Sequence, residues 1–279
     1  MTAAVAPVPV PAAAAPRPAP TGLRVTQARV VRSEWIKFRT LRSSWITLGA
    51  GVAGMIGIGL LVSWATNNHW SQMSPIDRLT FDPVNQSLAG AFLAQLAIGV
   101  LGVLIVTGEY GTGMIRATLG AVPKRLPVVW AKLVVYAVVT FAAALVAAFA
   151  SFLGGQALLS THGVSLSAPD ALRCVIGAAL YLTVVGVFAA GLGFAIRNTA
   201  GGIASLFGLL LVLPGLAHAL PSSWQHWVLP YLPSQAGMNV FAVLRDPSML
   251  SAWTGFGVFC IWAAAAVALG AWVLSHRDA

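Results

Sequence analysis

The sequence predicts an all-α integral membrane protein: six transmembrane helices, an N-terminal amphipathic interfacial helix, and a partly re-entrant segment before the last helix. Three observations predict it. Of 279 residues, 58% are hydrophobic and only 8% charged, where a soluble domain carries roughly 25% charged. So few charges cannot cover a water-facing surface of this size, whereas a lipid-facing exterior does not need them. Six apolar stretches each approach the ~20 residues that cross a hydrocarbon core. Basic residues alternate strongly between the connections.

Residues 1–22 form an Ala/Pro-rich tail. Pro7, Pro9, Pro11, Pro16, Pro18 and Pro20 forbid a helix and favour an extended, disordered chain. No Lys or Arg precedes Arg17, so the tail lacks the basic start of a secretory signal. Residues 23–43 are the most basic stretch, with Arg24, Arg29, Arg32, Lys37, Arg39 and Arg42. On a helix, Val31, Trp35 and Phe38 share one face at i, i+4, i+7 spacing. Arg29, Arg32, Lys37 and Arg39 fall on the opposite side, which is the pattern of a helix lying in the lipid interface. Ile36 sits among the charges and Arg42 drifts to the apolar side.

Residues 44–279 form the six-helix transmembrane domain, with spans expected at 44–65, 88–107, 128–152, 171–196, 201–220 and 253–274. Trp45, Trp64, Trp70, Trp130, Trp253 and Trp272 mark span ends, where amphipathic rings prefer the headgroup level. Pro214 and Gly215 interrupt the fifth span, either kinking it or starting a re-entrant piece. With the N-terminus inside, thirteen of the 16 lysines and arginines are cytoplasmic; Arg78, Arg173 and Arg245 are outside. Both termini are therefore expected on the cytoplasmic side of the plasma membrane. Small residues recur at four-residue steps in the first span (Gly49, Ala53, Gly57) and in the fourth (Gly186, Ala190). Such faces serve either a subunit interface or packing within one bundle. The outer segment 221–252 holds Trp224, Trp227, Tyr231 and Phe241, with Arg245 and Asp246 its only charges. It is too apolar for a free aqueous loop, and either dips into the outer leaflet against protein or lies flat on headgroups.

Several functions are disfavoured. Gly108 and Gly113 have the separation of a P-loop, but Met114 and Ile115 replace its Lys and hydroxyl residue, so no ATP site and no cofactor is expected in this chain. No Cys/His spacing suits a metal, and no GxSxG elbow is present. None of the seven acidic residues lies at a span centre, against a proton-driven transporter. The net charge of +9 reads as attraction to anionic membrane lipids, with no nucleic-acid partner.

The informative connection runs from residue 108 to 125. Glu109 follows directly on an apolar span. Gly111 and Gly113 allow a sharp change of direction, and Thr112 is placed to cap a short helix over 113–121. Met114, Ile115 and Leu119 give it an apolar side; Pro123 ends it, and Lys124 and Arg125 anchor the next span. An exposed apolar helix there suggests a docking surface.

The run from Arg32 through Glu34, Trp35, Lys37 and Arg39 to Trp45 resembles the start of the first span in type-2 ABC transporter permeases, especially those of actinobacteria. The pattern Glu109-Tyr110, Gly113-Met114-Ile115-Arg116, Leu119 and Pro123-Lys124-Arg125 resembles their first cytoplasmic loop, although the family often has Thr where Met114 stands. The stretch 229–237 resembles their extracellular segment before the last span. The likeness covers nearly everything after residue 28. It implies a membrane subunit of an ATP-driven exporter, paired with a second permease copy or paralogue. ATP would be bound by a separate cytosolic ABC ATPase, contacted through residues 109–122. Glu109 and Arg116 are then expected as polar coupling contacts whose removal costs little burial, with Tyr110, Met114 and Ile115 as packing contacts around the Gly113 turn. The other reading of the charges is a salt bridge between Glu109 and Arg116. The small and polar faces of the second and fifth spans, Gln95 among them, would line the translocation path. A membrane-embedded interaction or regulatory subunit that transports nothing is the alternative.

Overall fold

A computed structural model describes residues 26–121, 125–244 and 246–276. The expectations for the tail 1–22, Arg24, Pro123, Lys124 and Arg245, and for the side chain of Leu119, lie outside the described residues. Helix α1 (Gln27–Thr40) ends at Leu41, whose extended backbone turns the chain into α2 (Arg42–His69). Two short helices follow, α3 (Pro75–Leu79) and α4 (Pro83–Leu88). Each opens on a proline behind a side-chain cap, from Ser74 and Asp82 respectively. Then come α5 (Ala91–Gly111), α6 (Met114–Ala121), α7 (Leu126–Leu159), α8 (Ala171–Ile196), α9 (Thr199–Phe207) and α10 (Leu213–Ala217). Short helices α11 (Ser222–Val228) and α12 (Pro233–Met238) precede α13 (Ala252–His276). No strand occurs among the described residues.

Six helical stretches are long and apolar enough to cross a membrane: Arg42–Gln72, Pro83–Gly111, Leu126–His162, Ala171–Ile196, Thr199–Ala217 and Ala252–His276. The all-α, six-span expectation therefore stands. The fourth span matches its expected bounds, while the second runs four residues past residue 107. Glu109 and Tyr110 thus belong to the last turn of α5 and do not follow it.

The fourth span is the bundle's axis. Its most apolar stretch is 72% buried, against 28% for the first and fifth spans. Helix α8 packs on α5, α7 and α13. Against α13 the approach is close: a Cβ on Gly191 would come within 2.7 Å of Val267 N, and only a glycine fits there. Gly186 faces the Tyr136 ring of α7 and Ala190 is fully buried, so the small face of the fourth span serves packing within the chain. The first span differs. Gly49 and Gly57 have open space where a side chain would stand, and Ala53 is exposed.

Two buried tyrosines in the bundle find internal partners, as a lipid environment favours. The Tyr136 hydroxyl donates to Ile98 O at 2.6 Å, and the Tyr181 hydroxyl to Gln95 Oε1 at 2.6 Å. Gln95 is fully buried, and through Tyr181 it meets the fourth span.

The fifth span continues through Pro214 without breaking. Proline has no N–H and its ring crowds the carbonyl four residues earlier, here that of Leu210. The helix widens to a π turn over Gly208–Val212, and the freed Leu210 carbonyl accepts from the buried Ser234 hydroxyl at 2.8 Å. Ser234 lies on α12, so the outer segment is tied to the fifth span at this point. That segment divides in two. Residues 229–241 are largely buried against α8 and α13, whereas α11 carries Trp224 and Trp227 exposed.

Candidate functional site

Two turns of helix chemistry create a charged cluster where α1, α5, α6 and α7 meet. Glu34 and Lys37 stand three residues apart on α1 and so share a face. Glu109 closes α5, and Lys132 lies in the second turn of α7. Glu34 places its two oxygens on two lysines, Oε1 2.7 Å from Lys37 Nζ and Oε2 2.6 Å from Lys132 Nζ. Glu109 Oε1 accepts from both as well, at 3.0 Å and 2.8 Å. The Lys37 ammonium has a third partner, Thr118 Oγ1 on α6, at 3.2 Å. The four charges sum to zero. Their side chains are 3% (Glu34), 9% (Glu109), 7% (Lys132) and 25% (Lys37) exposed.

Ions this deep are costly unless each is paired and hydrogen-bonded. The closed ring of contacts pairs every one of the four charges, and α5 is still helical at Glu109. Burial disfavours the Lys37 ammonium, but the hydrogen bond and charge of Glu34, and then those of Glu109, outweigh it and hold its pKa above the ordinary lysine value.

The α1 face turned to the protein is Val30, Glu34 and Phe38, with Val31 half-buried. Trp35, expected beside Val31 and Phe38, is 40% exposed, and Arg32 and Arg39 are exposed too. Lys37, expected on the outward side, turns into the cluster. The side of α1 packed on the protein thus carries Glu34 between Val30 and Phe38, and Glu34 meets Lys132 there. Phe38 packs edge-on against Trp45 at 5.5 Å, fastening the elbow between α1 and α2.

Gly113 adopts a left-handed φ of 72°, which only glycine takes without strain, and turns the chain from α5 into α6. Thr112 does not cap α6: its hydroxyl donates to Gly108 O at 2.9 Å and so serves the end of α5. On α6, Ile115 is buried, while Met114 and Arg116 are exposed. Among the described residues, the ion-pair partners of Glu109 are Lys37 and Lys132, and its other oxygen has no hydrogen-bond partner. The expected Glu109–Arg116 pair is therefore replaced by this cluster, and the expectation that removing Glu109 costs little burial is corrected.

Tyr110 leads to a second junction. The Arg197 guanidinium lies over its ring at 5.4 Å and donates to Val273 O at 2.8 Å. Arg125 donates to Leu274 O at 2.7 Å. Two arginines thus satisfy the last carbonyls of α13, where the helix dipole is negative. A sequence profile described as ABC-2 family transporter protein matches residues 30–215, from α1 to Gly215 in the fifth span. The chain belongs to the ABC-2 transporter family. No curated protein matches it. The match takes in every member of the charged cluster, so this ABC-2 protein carries its α1–α6 junction within the family region. The family makes it a multi-pass membrane permease component of an ABC transporter.

Glu34, Lys132 and Thr118 were not among the sequence candidates. A signal existed for Lys132, a lone charge within the apolar run 128–139, which at that depth requires a partner. Glu34 and Glu109 are the only glutamates in the chain.

Proposed function

We propose that this chain is the permease subunit of an ATP-driven ABC exporter, coupled to a separate cytosolic ATPase through residues 109–122. The observation that carries the reading is α6. It is a short helix between the second and third spans, held from behind by Lys37 on its Thr118 and by its own buried Ile115, and presenting Met114 and Arg116 outward. In this division Arg116 and Met114 meet the ATPase, while Glu109 braces the helix from inside and makes no contact with it. Lys37 carries motion of α6 to α1, which lies along the lipid interface with Arg32, Arg39 and Trp35 toward headgroups.

The thirteen-to-three asymmetry in basic residues supports cytoplasmic termini, with α1 and α6 on the cytoplasmic face. The uncovered Gly49–Ala53–Gly57 face of the first span supports pairing with a second permease copy or a paralogue.

The test is co-purification with the cognate ABC ATPase. Arg116→Ala with Met114→Ala is expected to weaken ATPase binding by tenfold or more, as the loss of a charge-assisted contact of roughly 1.5–3 kcal/mol predicts. Melting curves of the same variants control for folding. Undiminished ATPase binding, or robust ATP hydrolysis by the purified chain alone, would overturn the assignment. An ATPase that binds without supporting any transport would favour the non-transporting regulatory reading.

A further inference from the structure

The side of α1 turned away from the bundle has a chemistry of its own. Val30, Glu34 and Phe38 are buried against the protein. At 3.6 residues per turn, the opposite line of the helix runs through Arg32 and Arg39. Trp35 and Ile36 flank that line on its two sides, and Leu41 and Arg42 follow at the elbow; all six residues are exposed. None of these three arginine side chains has an ion pair or a hydrogen bond among the described residues. Glu34 is the only acidic residue before Asp77. It is turned inward, with both oxygens on lysines. The outward side of α1 therefore presents three positive charges that the chain itself leaves uncompensated.

The apolar residues among those arginines decide what covers the surface. Water alone would leave Trp35, Ile36 and Leu41 bare, and hydrocarbon alone would strand three cations. The headgroup level suits both kinds of side chain at once, with arginines at the phosphates and tryptophan beside them. Trp45 sets the depth independently. Its indole N–H donates to Arg39 O at 3.2 Å, and its exposed ring stands in the first turn of α2. Arg39 is thus level with the aromatic edge of the first span, and the surface continues into exposed Ile46 on that span.

We propose that the outward face of α1 binds anionic phospholipid headgroups, of the phosphatidylglycerol class, and that this contact sets the hold of α1 on α6. The inference rests on the reading of α1 as an interfacial helix, and adds the charge of the lipid and its consequence. A zwitterionic headgroup brings a cation with each phosphate and so compensates arginines poorly. Near an anionic surface each arginine gains about fivefold in affinity, and three gain on the order of a hundredfold. The consequence follows from Glu34 and Lys37, which lie between Arg32 and Arg39 on the inward side of the same two turns. Glu34 is bonded to Lys132 of α7, and Lys37 to Glu109 and to Thr118 of α6. Lipid that holds α1 from outside keeps those contacts in place, and its removal loosens them.

The test measures amide exchange of the full chain, without an ATPase, in nanodiscs of phosphatidylcholine alone and of phosphatidylcholine mixed with phosphatidylglycerol. Phosphatidylglycerol is expected to slow exchange over 27–40 by about fivefold or more, and over 114–121 by a smaller factor. Both leaflets of a disc carry the lipid, so the outcome does not depend on which side is cytoplasmic. A failed ATPase-binding test would also leave it standing. The variant combines Arg32→Gln, Arg39→Gln and Arg42→Gln. All three side chains are exposed, so it should melt like the wild type in phosphatidylcholine and lose the slowing. Equal exchange in the two discs, or slowing that survives in the variant, would overturn the site. Equal slowing by inorganic phosphate in phosphatidylcholine discs would make it a free-anion site and overturn the lipid assignment. Slowing over 27–40 with none over 114–121 would overturn the effect on α6.

Discussion

Lys132 Nζ lies 2.6 Å from Glu34 Oε2 although 98 residues separate them in the chain. The contact joins the helix that precedes the first span to the second turn of the third span. With Glu109 and Lys37 it binds both ends of the α6 connection to α1. An ion pair this well enclosed constrains geometry more than it adds net stability, because desolvation offsets much of the Coulomb gain. Breaking it is another matter, since the surviving charge remains buried.

Lys132→Met is therefore expected to destabilise strongly, by about 3–5 kcal/mol, because it leaves Glu34 and Glu109 with one shared lysine. Adding Glu34→Gln should recover part of that loss. Melting curves of the single and double variants in detergent measure the coupling, and strict additivity would contradict the pairing.

Lys37→Met removes the link from α1 to Thr118 while keeping the bulk of the side chain. It also leaves Glu34 and Glu109 with one shared lysine, so the melting temperature should fall, by less than for Lys132→Met because Lys37 is the more exposed of the two, and α6 should loosen as well. A lost hydrogen bond of ~1 kcal/mol corresponds to about fivefold faster amide exchange over 114–121. Exchange unchanged in that peptide would show that Lys37 does not hold the helix.

The same lysine sets a pH dependence. Its folded pKa is raised above 10.5, so its contribution to stability is whole below 10.5 and is lost as pH rises through the higher folded value. A melting series carried into that alkaline range should show a step in the wild type that is missing in Lys37→Met. A step of equal size in both would assign it to another group.

Two glycines make opposite predictions. A Cβ on Gly237 would stand 2.6 Å from the Phe259 ring and 2.8 Å from that of Tyr181. Gly237→Ala should thus cost about 1–3 kcal/mol by overpacking. Gly57 has nothing within 4 Å. Gly57→Leu should leave the melting curve in place and shift a dimer toward monomer, read by light scattering of the detergent-solubilised protein.

Much of the fold was legible. The bounds expected for the fourth span agree with α8 because the apolar run 174–196 is flanked by Asp170 and Arg173 on one side and by Arg197 and Asn198, which caps α9, on the other. The fifth span was ambiguous at Pro214 for a physical reason. Whether a proline breaks a helix depends on what donates to the freed carbonyl, and the donor here, the Ser234 hydroxyl, lies 24 residues away from Leu210. The site was legible only in part. Residues 109–116 stood out through their glycines and their charge after an apolar run, but α1 was read by its apolar stripe and its basic side, so Glu34 entered only through the family resemblance, without a contact.

Hydropathy and turn chemistry are local, and they determined by themselves that this chain is helical, crosses the membrane six times and carries a short helix between its second and third spans. Tertiary structure decided which way α1 faces, which small-residue face stays open and which lysines hold Glu109. Those outcomes turn on pairing charges and carbonyls drawn from distant segments, and a buried ion takes whichever partner the packed bundle brings within hydrogen-bonding distance.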